Sequence, residues 1–570
     1  MVVALGSSSR AVAEEDLKSL VHQAFDFHQK GEFSQALPLL HRAYQLDPND
    51  YFVNLLLGID SLRINRPKAA LPFLKKAARL RPKEEYPLAY LGEAYARQDI
   101  YGDAAEAYLR AVNTAPGSSE SSVAFVDFAL SRFANMSSLL RSSKKGLAAE
   151  YRLRARALRE GDLSLRPLLQ RAADLDPDAP CVWSDLARAA LAGGDLANAE
   201  RYVREALEAD PNDLAAWIAD AQLAAQGSDW KRAIARINSA AQRSPKTLSQ
   251  AVSGWPATLQ PPSADIVSGS AARFFSCARG KKATCDFGPP PRVLSNGSTA
   301  LFREHRWEQV ARLTAPQPGQ NDAWFQRGVA FAYVDDCQRA IPSLERGLSK
   351  TSPEVYGLFL LSWCYSREAG RAADQVQRSG NDEAPIHIMR GDILLHLQAK
   401  AELAEAEYQA ALDRSPSDPA VLERLAEAQF GAGKIDAARR NAEAALKIDP
   451  QRLAPKRALA KIAMQERDYA TALPLLRELA AHNTQDVTMR IELSKACAQT
   501  GALDEALQNL APALEAGYPD EKGSLHYLLG GILKKMGRTA ESDQAFATAT
   551  QLSEAFQQKS YRDQDPDAQP

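Results

Sequence analysis

Long apolar runs are missing from this sequence. The richest, Tyr356 to Tyr365, is interrupted by Gly357 and Ser362 and falls well short of the roughly 20 apolar residues a membrane-spanning helix takes. No integral membrane segment is expected. A dominant charge is also missing: 69 Lys and Arg stand against 71 Asp and Glu, a formal net charge of -2 at pH 7. The chain therefore has no broad basic footprint for nucleic acid, and its partners have to be read locally. Catalytic signatures fare no better. G-x-x-x-x-G-K-[ST], G-x-S-x-G and H-E-x-x-H do not occur, since Gly433-Lys434 lacks the upstream glycine. The eight histidines are scattered singly, and paired carboxylates such as Glu14-Glu15 and Asp335-Asp336 read as helix starts or solvated turns. Cysteine is sparse. Cys277 and Cys285, with His305, offer three metal ligands where a tetrahedral zinc site usually wants four. Catalysis, metal and cofactor are all unexpected on these grounds.

At 570 residues the chain exceeds one ordinary globular core. About 45% of residues are apolar and 25% charged, a folded composition. What organises them is a period. Ala36, Ala70 and Ala104 recur at an interval of about 34 residues; the same interval separates Ala199 from Ala233 and links Ala404, Ala438, Ala472 and Ala506. Prolines keep the same beat at another phase, in Pro48, Pro82 and Pro116, then Pro177, Pro211 and Pro245, then Pro416 and Pro450. Within one period the apolar spacing is helical twice over, as in Leu186 to Ala190 and then Ala199, Val203 and Ala206, with Gly193-Gly194 between. Each unit reads as helix, tight turn, helix. Asp-Pro-Asn-Asp ends such as 47–50 and 210–213 stop the second helix, and their last Asp can cap the next.

These residues resemble the tetratricopeptide repeat (TPR) family. Segment 180–213 carries the pattern through Trp183, Leu186, Ala187, Ala199, Ala206 and Pro211; segment 85–118 carries it through Leu91, Gly92, Tyr95, Ala104, Tyr108, Ala111 and Pro116. The resemblance implies an all-α solenoid, a right-handed superhelix of about 13 antiparallel helix pairs. Residues 1–16 form an N-terminal tail, 17–118 units 1–3, 119–145 a degenerate helix pair, and 146–247 units 4–6. Residues 248–291 are a Pro/Gly/Cys-containing insert or linker and 292–320 a divergent helix pair; units 7–13 fill 321–556, and 557–570 are a disordered tail.

The family resemblance implies a non-catalytic scaffold that binds proteins or peptides through the first helices of its units. The alternative is a regulatory or sensor subunit that closes its groove on a short peptide or small molecule. At the family's groove positions Arg457, Lys461 and Lys495 point to an acidic segment, while Glu423 and Glu427, one unit earlier, leave a groove of mixed sign open. The N-terminal units offer Val21, Phe25, Leu55, Ile59, Tyr86 and Tyr90 instead. The tail reads either as a short lead into the first helix or as the back half of a signal peptide, with a small-residue box at Ala11-Val12-Ala13. A cytoplasmic protein follows from the first reading, a periplasmic or secreted one from the second, with a role in the bacterial envelope or secretion. In an oxidising space Cys337 with Cys364, and Cys277 with Cys285, are the expected disulfides.

Overall fold

A computed structural model describes residues 3–564 except 142, 157–164, 180, 281–284, 288–297, 350–353, 381–382, 483–485, 516–517, 519 and 521. Every regular element among the described residues is helical. Pairing within one repeat puts the helices side by side, because neither amphipathic helix of a unit can bury its apolar stripe alone.

The first three units are α1 (Val3–Gln29) with α2 (Phe33–Leu46), α3 (Tyr51–Arg63) with α4 (Pro67–Leu80), and α5 (Tyr86–Ala96) with α6 (Tyr101–Thr114). Two expectations shift here and downstream. Helix α1 starts inside the expected tail, at Val3, and 119–145 forms no helix pair but one long helix, α7 (Ser119–Arg141). Helices α8 (Lys144–Arg156) and α9 (Leu165–Leu175) make the next unit, followed by α10 (Val182–Ala192) with α11 (Leu196–Ala209) and α12 (Leu214–Gln226) with α13 (Trp230–Arg243).

The insert holds α14 (Pro245–Ala251), two short 3-10 turns and α15 (Ser270–Arg279). Trp255, Phe274 and Phe275 pack edge to face in its core, with ring centroids 5.1 to 5.7 Å apart. It is thus an ordered packing element; the prolines at 289–291 and residues 292–297 lie outside the described residues. The divergent pair is short, α16 (Ser298–Arg303) and α17 (Trp307–Arg312). Regular pairing returns with α18 (Asn321–Tyr333) and α19 (Cys337–Gly347). The shortened unit 355–384 is again a single long helix, α20 (Val355–Arg378).

Then follow α21 (Ala384–Asp392) with α22 (Ala401–Arg414), α23 (Pro419–Gly431) with α24 (Ile435–Ile448), α25 (Leu453–Gln465) with α26 (Tyr469–His482), α27 (Val487–Thr500) with α28 (Leu503–Glu515), and α29 (Ser524–Lys535) with α30 (Thr539–Gln564). Helix α30 thus runs into the expected tail, whose residues 565–570 lie outside the described ones.

Two compact units share these helices. The first holds residues 1–133, 159–166 and 178–382; the second holds 134–158, 167–177 and 383–570. In the second, α9 lies beside the end of α30, with the Arg171 guanidinium 4.6 Å from the centre of the Phe556 ring. The small residues of the period sit where paired helices come closest: Ala36, Ala70, Ala104, Ala199, Ala404 and Ala506 are each fully buried.

Candidate functional site

In the second compact unit, α23, α25, α27 and α29 present successive first-helix faces. Each starts from the same local signal, a residue in extended or left-handed conformation after the turn. Asp418 caps α23 by accepting from Ala420 N at 2.8 Å, and Asp486 caps α27 by accepting from Met489 N at 3.0 Å. This registers position 9 of each unit on one line: Glu427, Lys461, Lys495 and Gly531.

The charges there are not equivalent. Arg452 donates twice to Glu423, both at 2.6 Å, and the carboxylate is 11% exposed, so Glu423 is occupied from within the fold. Glu427 is half-buried beside the groove. Lys495 is exposed and pairs with Glu492 at 2.7 Å on its own helix. Arg457 and Lys461 are exposed and, among the described residues, have no carboxylate within ion-pair distance; Lys461 lies 6.0 Å from the centre of the Phe430 ring. Lys534, the cation at position 12 of the last unit, is likewise exposed and unpaired among the described residues.

Between these helices opens a cavity of about 410 Å³ lined by Met464, Gln465, Tyr469, Glu492, Lys495, Gln499 and Leu528. Met464, Tyr469 and Leu528 give it apolar walls, and the Lys495–Glu492 pair and two amides supply its polar groups. Sequence reasoning missed Lys534, Met464 and Leu528, although the groove positions that selected Arg457 and Lys461 also pass through all three. Behind the groove, burial pushes the Cys497 thiol up to about 11, aided by Glu505, so it stays protonated near neutral pH and is no nucleophile.

The first compact unit places the other expected residues. Phe25 and Tyr86 are exposed on the N-terminal units and Ile59 is buried; Phe52, not among the expected residues, is exposed beside them, and the Arg81 guanidinium stacks over Tyr51 and Phe52 at 4.2 and 5.0 Å. The row is aromatic, yet His28 and Asp60 beneath it are joined at 2.5 Å, and burial raises the Asp60 carboxyl against the pull of His28. Cys337 and Cys364 come together as a disulfide with Cα atoms 5.0 Å apart, and Cys277 and Cys285 as another at 6.1 Å. Cys181 and Cys497 carry no disulfide. Among the described residues no group of three or more His, Cys, Asp or Glu could hold a metal ion, and no helix is long and apolar enough to cross a membrane.

Models of the tetratricopeptide repeat match residues 55–119, 166–223, 398–452, 463–523 and 523–556. No curated protein matches the chain. Similar solved structures include MamA of AMB-1, 24% identical over 30% of this chain and 92% of that one, with a TM-score of 0.27. MamA of Desulfovibrio magneticus RS-1 is 18% identical over 31% of this chain and 97% of that one, also at 0.27. YrrB, described as a TPR protein with an unusual peptide-binding site, is 19% identical over 32% of this chain and 91% of that one, at 0.28.

Proposed function

Because this chain is a tetratricopeptide-repeat protein, of a scaffold family that is generally non-catalytic, we propose that it binds an acidic protein segment along α23, α25, α27 and α29. The observation that carries this reading is the set of cations Arg457, Lys461 and Lys534, exposed without carboxylate partners among the described residues, on the same helices as an apolar-walled cavity. Carboxylates of a partner would complete them through charge-assisted hydrogen bonds. Glu423 does not oppose such a partner, because Arg452 already neutralises it, and Glu492 is paired with Lys495; Glu427 does oppose it.

The test is a comparison of captured proteins, identified by mass spectrometry, between the wild type and a variant carrying Arg457→Glu, Lys461→Glu and Lys534→Glu. At least one partner should be lost with helicity intact, and its affinity for the wild type should fall as salt rises. Retention of every partner at unchanged affinity removes the groove as the site. The sensor alternative draws support from the cavity, whose 410 Å³ lies within the range of small-molecule sites, and it would show as a ligand-dependent rise in melting temperature without a protein partner. We further propose an oxidising compartment, in the envelope or outside the cell, supported by the two cysteine pairs placed for bridging.

A further inference from the structure

Two breaks in the repeat period have the same form and lie together. Helices α7 and α20 each follow a regular unit at the same phase and are each nearly twice the ordinary length. They meet within the first compact unit although units 4–6 and the insert lie between them in the chain. Helix α6 packs directly on α19, the second helix of the seventh unit. Three rings pack in this junction: Phe128 of α7 lies 5.1 Å from Tyr108 of α6 and 5.9 Å from Tyr365 of α20. Beside them Arg132 of α7 donates to Glu345 of α19 at 2.9 and 3.0 Å, and the Tyr365 hydroxyl donates to the same carboxylate at 2.9 Å.

The rim is polar. Arg346 of α19 reaches Asp103 and Glu106 of α6 at 2.5 and 2.6 Å, Gln338 and Arg371 contact Asn113, and Ser379 donates to the Gly117 carbonyl at 3.2 Å. The cores of units 1 and 2 form without this junction. Leu20 through Leu57 form one buried cluster and Leu62 through Ala111 the next, and both consist solely of residues from units 1–3. Helix α6 of unit 3 also buries Ala105, Tyr108, Leu109 and Val112 outside these clusters. A junction between elements remote in the chain, ringed by charged side chains, is one that can open when its rim contacts are lost.

We infer that the junction is a latch: α6 and the first half of α7 close on α19 and α20, and units 1–3 swing free as an intact arm when the rim is broken. The receiving side is the fixed half, since the Cys337–Cys364 disulfide ties α19 to α20. A latch of this kind would decide when the aromatic face carrying Phe25, Phe52 and Tyr86 can follow a partner independently of the rest of the chain. The inference stands apart from the acidic-segment groove, which lies in the other compact unit.

Gly102 gives a clean handle. A Cβ there would lie 2.6 Å from Cγ of Arg346 and 3.1 Å from the Pro342 carbonyl oxygen, and its three nearest atoms all belong to α19. Gly102→Leu should therefore wedge the latch without disturbing units 1 and 2. Hydrogen exchange on the full chain reads the outcome. In Gly102→Leu, and in Arg346→Glu, amides of α6, 119–133 and α19 should exchange at least about tenfold faster while α3 and α4 stay unchanged. Adding Asp103→Arg and Glu106→Arg to Arg346→Glu should restore protection. The latch is overturned if neither variant accelerates α6, if α3 and α4 accelerate in parallel, or if the charge swap restores nothing.

Discussion

Adjacent glycines in α29 show how much one methyl group decides. A Cβ on Gly530 would lie 2.8 Å from Cδ1 of Phe546 in α30, inside any real contact, whereas one on Gly531 would have nothing within 4 Å. Both are helix-interior glycines, so Ala offers each the same gain in helix propensity, up to about 1 kcal/mol. Gly531→Ala should therefore raise the urea midpoint of the second compact unit. Gly530→Ala should lower it, at a cost of about 1–3 kcal/mol for forcing α29 from α30. Opposite signs at neighbouring positions are the expected result, and equal shifts would refute this packing account. The sequence distinguishes the two, since Gly530 holds the small-residue position of the period and Gly531 does not. It does not reveal that Phe546 is the residue that fills the space.

Helices in the second unit are joined by a buried polar set that periodicity could not indicate. Asp392, at the end of α21, accepts from the Tyr408 hydroxyl of α22 at 2.7 Å and from Arg424 Nε of α23 at 3.0 Å; Asp392 is 4% exposed. Burial, then Asp392, drives the Tyr408 phenol far above its ordinary value, so it remains a donor at any working pH. Arg424→Met leaves the carboxylate with one of these two partners. Because Arg424 is itself a third exposed, the loss should be about 2–3 kcal/mol rather than that of a fully buried pair. Arg424→Met combined with Asp392→Leu should recover part of it in chemical unfolding, while a double variant as unstable as the sum of the singles would argue against coupling. The paired helices themselves were legible because apolar spacing recurs at one fixed interval. The single helices α7 and α20 were not, because a broken period looks the same whether a helix pair has degenerated or a long helix has replaced it. Only the remote contact with α19 and α6 tells the two apart.

For the whole molecule, the cysteines make the sharpest prediction. Four of the six lie in disulfides, Cys337–Cys364 and Cys277–Cys285, and two do not. Protein isolated from an oxidising compartment and denatured without reductant should titrate two thiols. A count of six would remove both bridges and the main support for an exported protein; a chain-entropy estimate makes the longer loop worth roughly 3–4 kcal/mol. By itself, the sequence determined the repeat, the helix pairs and the buried alanines at their closest approach, because all of these are local or recur at a fixed interval. The tertiary structure alone decided which groove charges are free and which two stretches of chain lie against each other. Glu423 and Arg457 look alike as groove residues until Arg452 folds onto the first, and α6 and α19 are adjacent in space with units 4–6 and the insert between them in the chain. Ion pairing and long-range docking depend on distances in space, which no spacing along the chain encodes.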